Sequence, residues 1–109
     1  MKDTTVRARV AQDVKEQAEA VLSKLGLPVS VVINALYCQI ILKGRVPFEM
    51  PRGADGTRDA AVRARIEGGI KEDAERILSA QGVTISELIN ALYSEIIKAR
   101  GVPFPLSLN

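Results

Sequence analysis

Apolar and polar residues alternate at the start of the chain: Val6, Ala8 and Val10 are apolar, and Thr5, Arg7 and Arg9 fall between them. A period of two places the sets on opposite faces of an extended strand. The spacing then changes. Val14, Ala18, Val21, Leu22 and Leu25 recur at helical intervals until Gly26, a residue suited to ending a helix. A second helix is expected from an N-cap at Ser30 to about Gly44. Val46-Pro47-Phe48 cannot continue it, because proline forces its predecessor out of the helical region. The phenylalanine is expected to fold back onto the core.

The pattern occurs twice. A displacement of 56 positions lays residues 4–50 over residues 60–106 without a gap. Val6-Arg7-Ala8-Arg9-Val10 meets Val62-Arg63-Ala64-Arg65-Ile66, and Ile33-Asn34-Ala35-Leu36-Tyr37 meets Ile89-Asn90-Ala91-Leu92-Tyr93. Val46-Pro47-Phe48 meets Val102-Pro103-Phe104. In the second copy the first helix carries Ile70, Ala74, Ile77 and Leu78 and stops at Gly82; the next is capped by Ser86 and runs to about Gly101. Residues 1–50 and 60–109 are thus two strand–helix–helix repeats, joined by a polar linker at 51–59. One repeat has a strand without a partner and too little apolar surface to fold alone. Both deficits vanish if the strands pair antiparallel over four helices, giving one compact domain. The ten steps from Met50 to Ala60 reach about 33 Å, enough to cross such a domain.

Composition then narrows the chemistry. The 109 residues include no His and one Cys, which excludes histidine-based triads, thiolate metal sites and an internal disulfide. The expectation is a protein that is not an enzyme and uses no metal or cofactor. The N-terminus has no apolar leader, and the most apolar stretch, residues 27–42, is broken by Pro28, Ser30, Asn34 and Gln39. A cytoplasmic protein with no membrane partner and a free thiol at Cys38 is expected. The net charge of +2 is small, so any anion-binding surface has to be local.

These motifs carry a resemblance. Val-Arg-Ala-Arg-Val/Ile, a helix, Leu-Gly-Leu or Gln-Gly-Val, a serine, a second helix with Ile-Asn-Ala-Leu, then Val-Pro-Phe: each copy resembles the N-terminal half of RelB/DinJ-type antitoxins. The resemblance implies a mainly α fold with a short two-stranded antiparallel β-ribbon, here a ribbon-helix-helix pseudo-dimer built from two tandem repeats. It also implies DNA binding, repression of an operator and a toxin as partner. Such antitoxins carry a toxin-wrapping tail after the Pro-Phe. Here the first copy runs into the linker and the second reaches Asn109, so the tail is expected to be lacking and DNA binding is the favoured activity.

On a paired ribbon, Thr5, Arg7, Arg9, Ala61, Arg63 and Arg65 share the outer face. A two-stranded ribbon fits the major groove of double-stranded DNA, and arginine reads guanine O6 and N7 with two hydrogen bonds. These six are the candidate base contacts, against the plainer reading of solvated strand residues. Because residue 5 is Thr and residue 61 is Ala, the outer face is able to read an imperfect palindrome. Ser30, Thr84 and Ser86, at the starts of the second helices, are candidate phosphate contacts, against a purely capping role. Lys2, Lys15, Lys71 and Arg58 are further cations that could meet phosphate.

The copies differ on one helix face. Val31, Ala35, Cys38 and Leu42 form a stripe opposite Ile33, Leu36, Tyr37 and Ile40, whereas the matching positions are Glu87, Ala91, Ser94 and Lys98. The extra apolar stripe is a candidate protein interface, for a second copy of the chain or for a toxin. The alternative is that the linker or the Val-Pro-Phe arm covers it. Asn34 and Asn90 are expected to hydrogen-bond across the pseudo-twofold axis, and Tyr37 and Tyr93 to lie at the core edge. Gly68-Gly69 replaces Gln12-Asp13, so the start of that helix is expected to fray.

Overall fold

The structure, a computed structural model, describes residues 3–50 and 59–106. Strand β1 (Thr4–Val10) leads into α1 (Gln12–Lys24) and α2 (Val29–Lys43). Strand β2 (Ala60–Ile66) leads into α3 (Gly68–Ala80) and α4 (Ile85–Ala99). The architecture is mainly helical, with one two-stranded antiparallel sheet. The expected linker at 51–59 lies outside the described residues except for Asp59, as do Lys2 and Arg58.

Strand alternation sets the sheet. Val6, Ala8, Val10, Val62, Ala64 and Ile66 all face the core and are at most 4% exposed. Arg7 stands directly opposite Arg63. Like charges facing each other across a ribbon cost at most about 1 kcal/mol, whereas each fully buried Val or Ile contributes about 1.5–3 kcal/mol. The inner row wins, and the pairing tolerates its arginines.

The first helices end as the glycines foretell. Gly26 and Gly82 adopt φ of 71° and 72°, and the Leu27 and Val83 N–H groups return to the Leu22 and Leu78 carbonyls at 2.9 Å. Leu25, the last residue of the apolar helical spacing, is half exposed and forms the C-cap, one residue past the end of α1. The N-caps also differ from expectation. Ser30 and Ser86 lie inside the first turns of α2 and α4; the capping positions are Pro28 and Thr84. Thr84 Oγ1 accepts from Glu87 N–H at 3.1 Å and Glu87 Oε1 accepts from Thr84 N–H at 2.9 Å, a reciprocal capping box.

The extensive contacts between elements all join the first half of the chain to the second: β1 with β2, α1 with α4, α2 with α3, α4 with β1, and α2 with β2. Several polar contacts do the same in matched pairs. Asp59 Oδ1 accepts from Gln12 N–H at 2.9 Å at the start of α1, and Asp3 Oδ1 accepts from Gly68 N–H at 2.8 Å at the start of α3. The expected fraying at Gly68-Gly69 is therefore corrected, since a carboxylate from the other half supplies the cap. Tyr37 and Tyr93 are fully buried rather than at the core edge. Their hydroxyls donate to Glu75 at 3.4 Å and to Glu19 at 3.1 Å, which satisfies the one polar atom each brings inside. Phe48 and Phe104 fold back and stack, with ring centroids 6.5 Å apart. No single helix among the described residues is long and apolar enough to cross a membrane.

Candidate nucleic-acid interface

The antiparallel register brings the six candidate base-contacting residues into one outer surface. Thr5 faces Arg65, Arg7 faces Arg63, and Arg9 faces Ala61. The four arginines and Ala61 are exposed, and Thr5 is half-buried. Arg7, Arg9 and Arg63 form no ion pair among the described residues. A rigid ribbon thus displays a block of guanidinium groups, with Arg7 and Arg63 at its centre. Lys15 and Lys71 stand apart from it, each in an ion pair with Glu19 or Glu75 on its own helix.

Each end of the ribbon is fixed by a second helix of the other half. Asn34 Nδ2 donates to the Arg65 carbonyl at 2.8 Å and to the Ser30 carbonyl at 2.7 Å. Asn90 Nδ2 donates to the Arg9 carbonyl at 2.7 Å and to the Ser86 carbonyl at 2.8 Å. The Arg9 N–H donates to Ser86 Oγ at 3.1 Å. The asparagines therefore hold the backbones of two of the displayed arginines, the structural role the sequence implied. Ser86 shares that role, which spacing alone did not reveal.

The same packing sets the start of α2 beside Arg65 and the start of α4 beside Arg9, so the candidate phosphate residues flank the ribbon. They are not alike. The Thr84 hydroxyl is engaged with Glu87, and the Ser86 hydroxyl with β1. At α2 the capping residue is Pro28, with no side-chain cap and no acidic residue in the first turn. The sequence does contain the signal for the α4 cap, Thr-x-x-Glu at 84–87. Asp3 and Asp59 are likewise 56 apart but lie just before the repeated stretch.

The candidate protein-contact stripe on α2 is brought together only in part. Val31 and Leu42 are 41% and 65% exposed and Cys38 is half-buried, but Ala35 is buried, at 7%. Ala35 is therefore corrected to a core position, like Ala91, which fills the same place on α4. Burial, aided by the charge of Glu67, pushes the Cys38 thiol pKa up, so it stays protonated and a poor nucleophile.

The family model of the RelB antitoxin matches residues 3–57 and, a second time, residues 59–109. The chain belongs to the RelB antitoxin family. Among curated proteins, this RelB-family chain is similar to antitoxin DinJ of Escherichia coli strains K12 and BL21-DE3, 35% identical over 48 residues in each. That match covers 44% of this chain and 56% of DinJ, so the chain spans just over half the length of these relatives. No solved structure matches it. A RelB/DinJ-type antitoxin is a component of a toxin–antitoxin system, and the family is generally non-enzymatic.

Proposed function

We propose that the chain is a ribbon-helix-helix pseudo-dimer in a single polypeptide, with residues 1–50 and 60–109 as its repeats and 51–59 as the linker. It binds double-stranded operator DNA, inserts the β1–β2 ribbon into the major groove and represses transcription. The observation that carries this reading is the outer row itself: Arg7 against Arg63, flanked by Arg9 and Arg65, all exposed on backbone that two asparagines hold in place. Side-by-side guanidiniums repel one another, and guanine edges and phosphates relieve that repulsion. Thr5 and Ala61 complete the base-reading surface. Ser30, Thr84 and Ser86 stand where the backbone phosphates would pass.

The test is a gel shift against the DNA upstream of the protein's own coding sequence. Wild-type protein is expected to shift it with an affinity that falls steeply with salt. Arg7→Ala/Arg63→Ala is expected to lose sequence discrimination by about 1–3 kcal/mol for each guanine contact removed. Equal shifts from the two proteins would refute base reading by the ribbon. A second reading is favoured by the exposed Val31 and Leu42: a protein contact through α2, made with a toxin or a second copy of the chain. Binding to a co-expressed protein that is insensitive to salt would favour it.

A further inference from the structure

The ribbon is not symmetric, and its two departures from symmetry fall at the same end. At one end Thr5 faces Arg65; at the other Ala61 faces Arg9. A threonine hydroxyl exchanges hydrogen bonds with a base edge, whereas an alanine methyl offers only an apolar contact, best met by the thymine methyl. The Thr5 end adjoins α2, through the bond from Asn34 to the Arg65 carbonyl. There Pro28 leaves the first turn without a side-chain cap and without an acidic residue. The Val31 N–H turns back to the Pro28 carbonyl at 3.1 Å, and the positive dipole end faces an approaching anion with no carboxylate in its own first turn. The Ala61 end adjoins α4, through Ser86 and Asn90 on the Arg9 backbone. There the Thr84–Glu87 box engages the Thr84 and Glu87 N–H groups and sets a carboxylate at the helix start, where a phosphate would approach.

We infer that the protein docks on DNA in one fixed direction, on an operator with unequal half-sites, the Thr5–Arg65 end gripping one half more tightly than the Ala61–Arg9 end grips the other. This rests on the DNA-binding reading. Two identical subunits would present the same side chains to both half-sites and carry no such polarity. A single chain carries it in the order of its repeats. Thr5 and Ala61 set base preference at the two extremities, and Glu87 weakens backbone contact at one of them.

Selection from a pool of randomised duplexes tests this, using wild-type protein, Ala61→Thr and Glu87→Gln. Threonine suits an exposed strand position and glutamine preserves the capping box, so both variants are expected to keep the wild-type melting curve. Wild type is expected to enrich a non-palindromic site, with ethylation interference stronger over the half beneath Thr5. Ala61→Thr is expected to make the selected site more symmetric, and to bind a duplex carrying two copies of the stronger half roughly 3- to 10-fold more tightly than wild type does. Glu87→Gln is expected to strengthen interference over the weaker half. A palindromic wild-type site, or an asymmetric one that neither variant alters, overturns the polarity while leaving DNA binding intact. No enrichment at all overturns DNA binding itself.

Discussion

Arg100 follows α4 with φ of 55°, in the left-handed region that Gly44 occupies with φ of 71° after α2. The sequence reads Gly44-Arg45 in the first half and Arg100-Gly101 in the second, so the glycine arrives one residue late. The stop expected at about Gly44 coincides with the α2 cap, and the one expected at about Gly101 falls one residue past the α4 cap. A side chain in this conformation costs roughly 1–2 kcal/mol. Arg100→Gly is accordingly expected to stabilise the fold by about 1 kcal/mol, measured as a raised urea midpoint. The tyrosines make a second prediction. Burial, then the charge and hydrogen bond of a glutamate, raise both phenol pKa values well above the ordinary 10.0. Below pH 10 the contribution is fully present; above it the unfolded phenols ionise while the folded ones keep their protons, so stability falls as pH rises. Urea midpoints taken from about pH 9 to about pH 11 should drop for wild type and drop less for Tyr37→Phe/Tyr93→Phe. The helical phase that sets Tyr37 beside Ile33, Leu36 and Ile40 points it inward, but both tyrosines lie deeper than the core edge the sequence suggests, and their glutamate partners are not legible at all. Nothing in a sequence pairs residues 38 and 74 positions apart.

At the level of elements, strands and helices were legible because period two and period 3.6 are each sustained long enough to be distinguished. The caps of α1 and α3 were not, because each is a contact made by a residue distant along the chain. Asp59 and Asp3 cap helices 47 and 65 residues away along the chain. Asp59→Ala and Asp3→Ala are each expected to cost about 1 kcal/mol of stability. The caps belong to different helices, so the double substitution should cost the sum. Denaturation of the two single variants and the double one checks this. A loss confined to one variant would mean that only one of these bonds persists in solution. Ser30 and Ser86 are a separate case: serine before a helical pattern is a sound capping signal, yet Pro28 and Thr84, two residues earlier, take that place.

For the molecule as a whole, the repeat in the sequence pointed to paired strands, and the register of β1 on β2 meets that expectation residue by residue. The candidate base-reading row was likewise legible, since alternation alone assigns Arg7, Arg9, Arg63 and Arg65 to the side away from the core. Its unequal ends were only half legible: Thr5 against Ala61 can be read directly, but not which helix start lies beside each. Because both halves belong to one polypeptide, the midpoint of thermal unfolding is expected to be independent of protein concentration. A midpoint that rises with concentration would show instead that strands are exchanged between molecules.

The interleaving of the halves also governs how the protein is made. Val6, Ala8 and Val10 find their cover on β2 and α4, and α2 rests on β2 and α3. While only the first 50 residues have left the ribosome, those surfaces have nothing to close against. Native structure must therefore wait until α4 emerges. During that interval the nascent chain is open to proteases and to chaperones, and its survival depends on how quickly the second half follows the first.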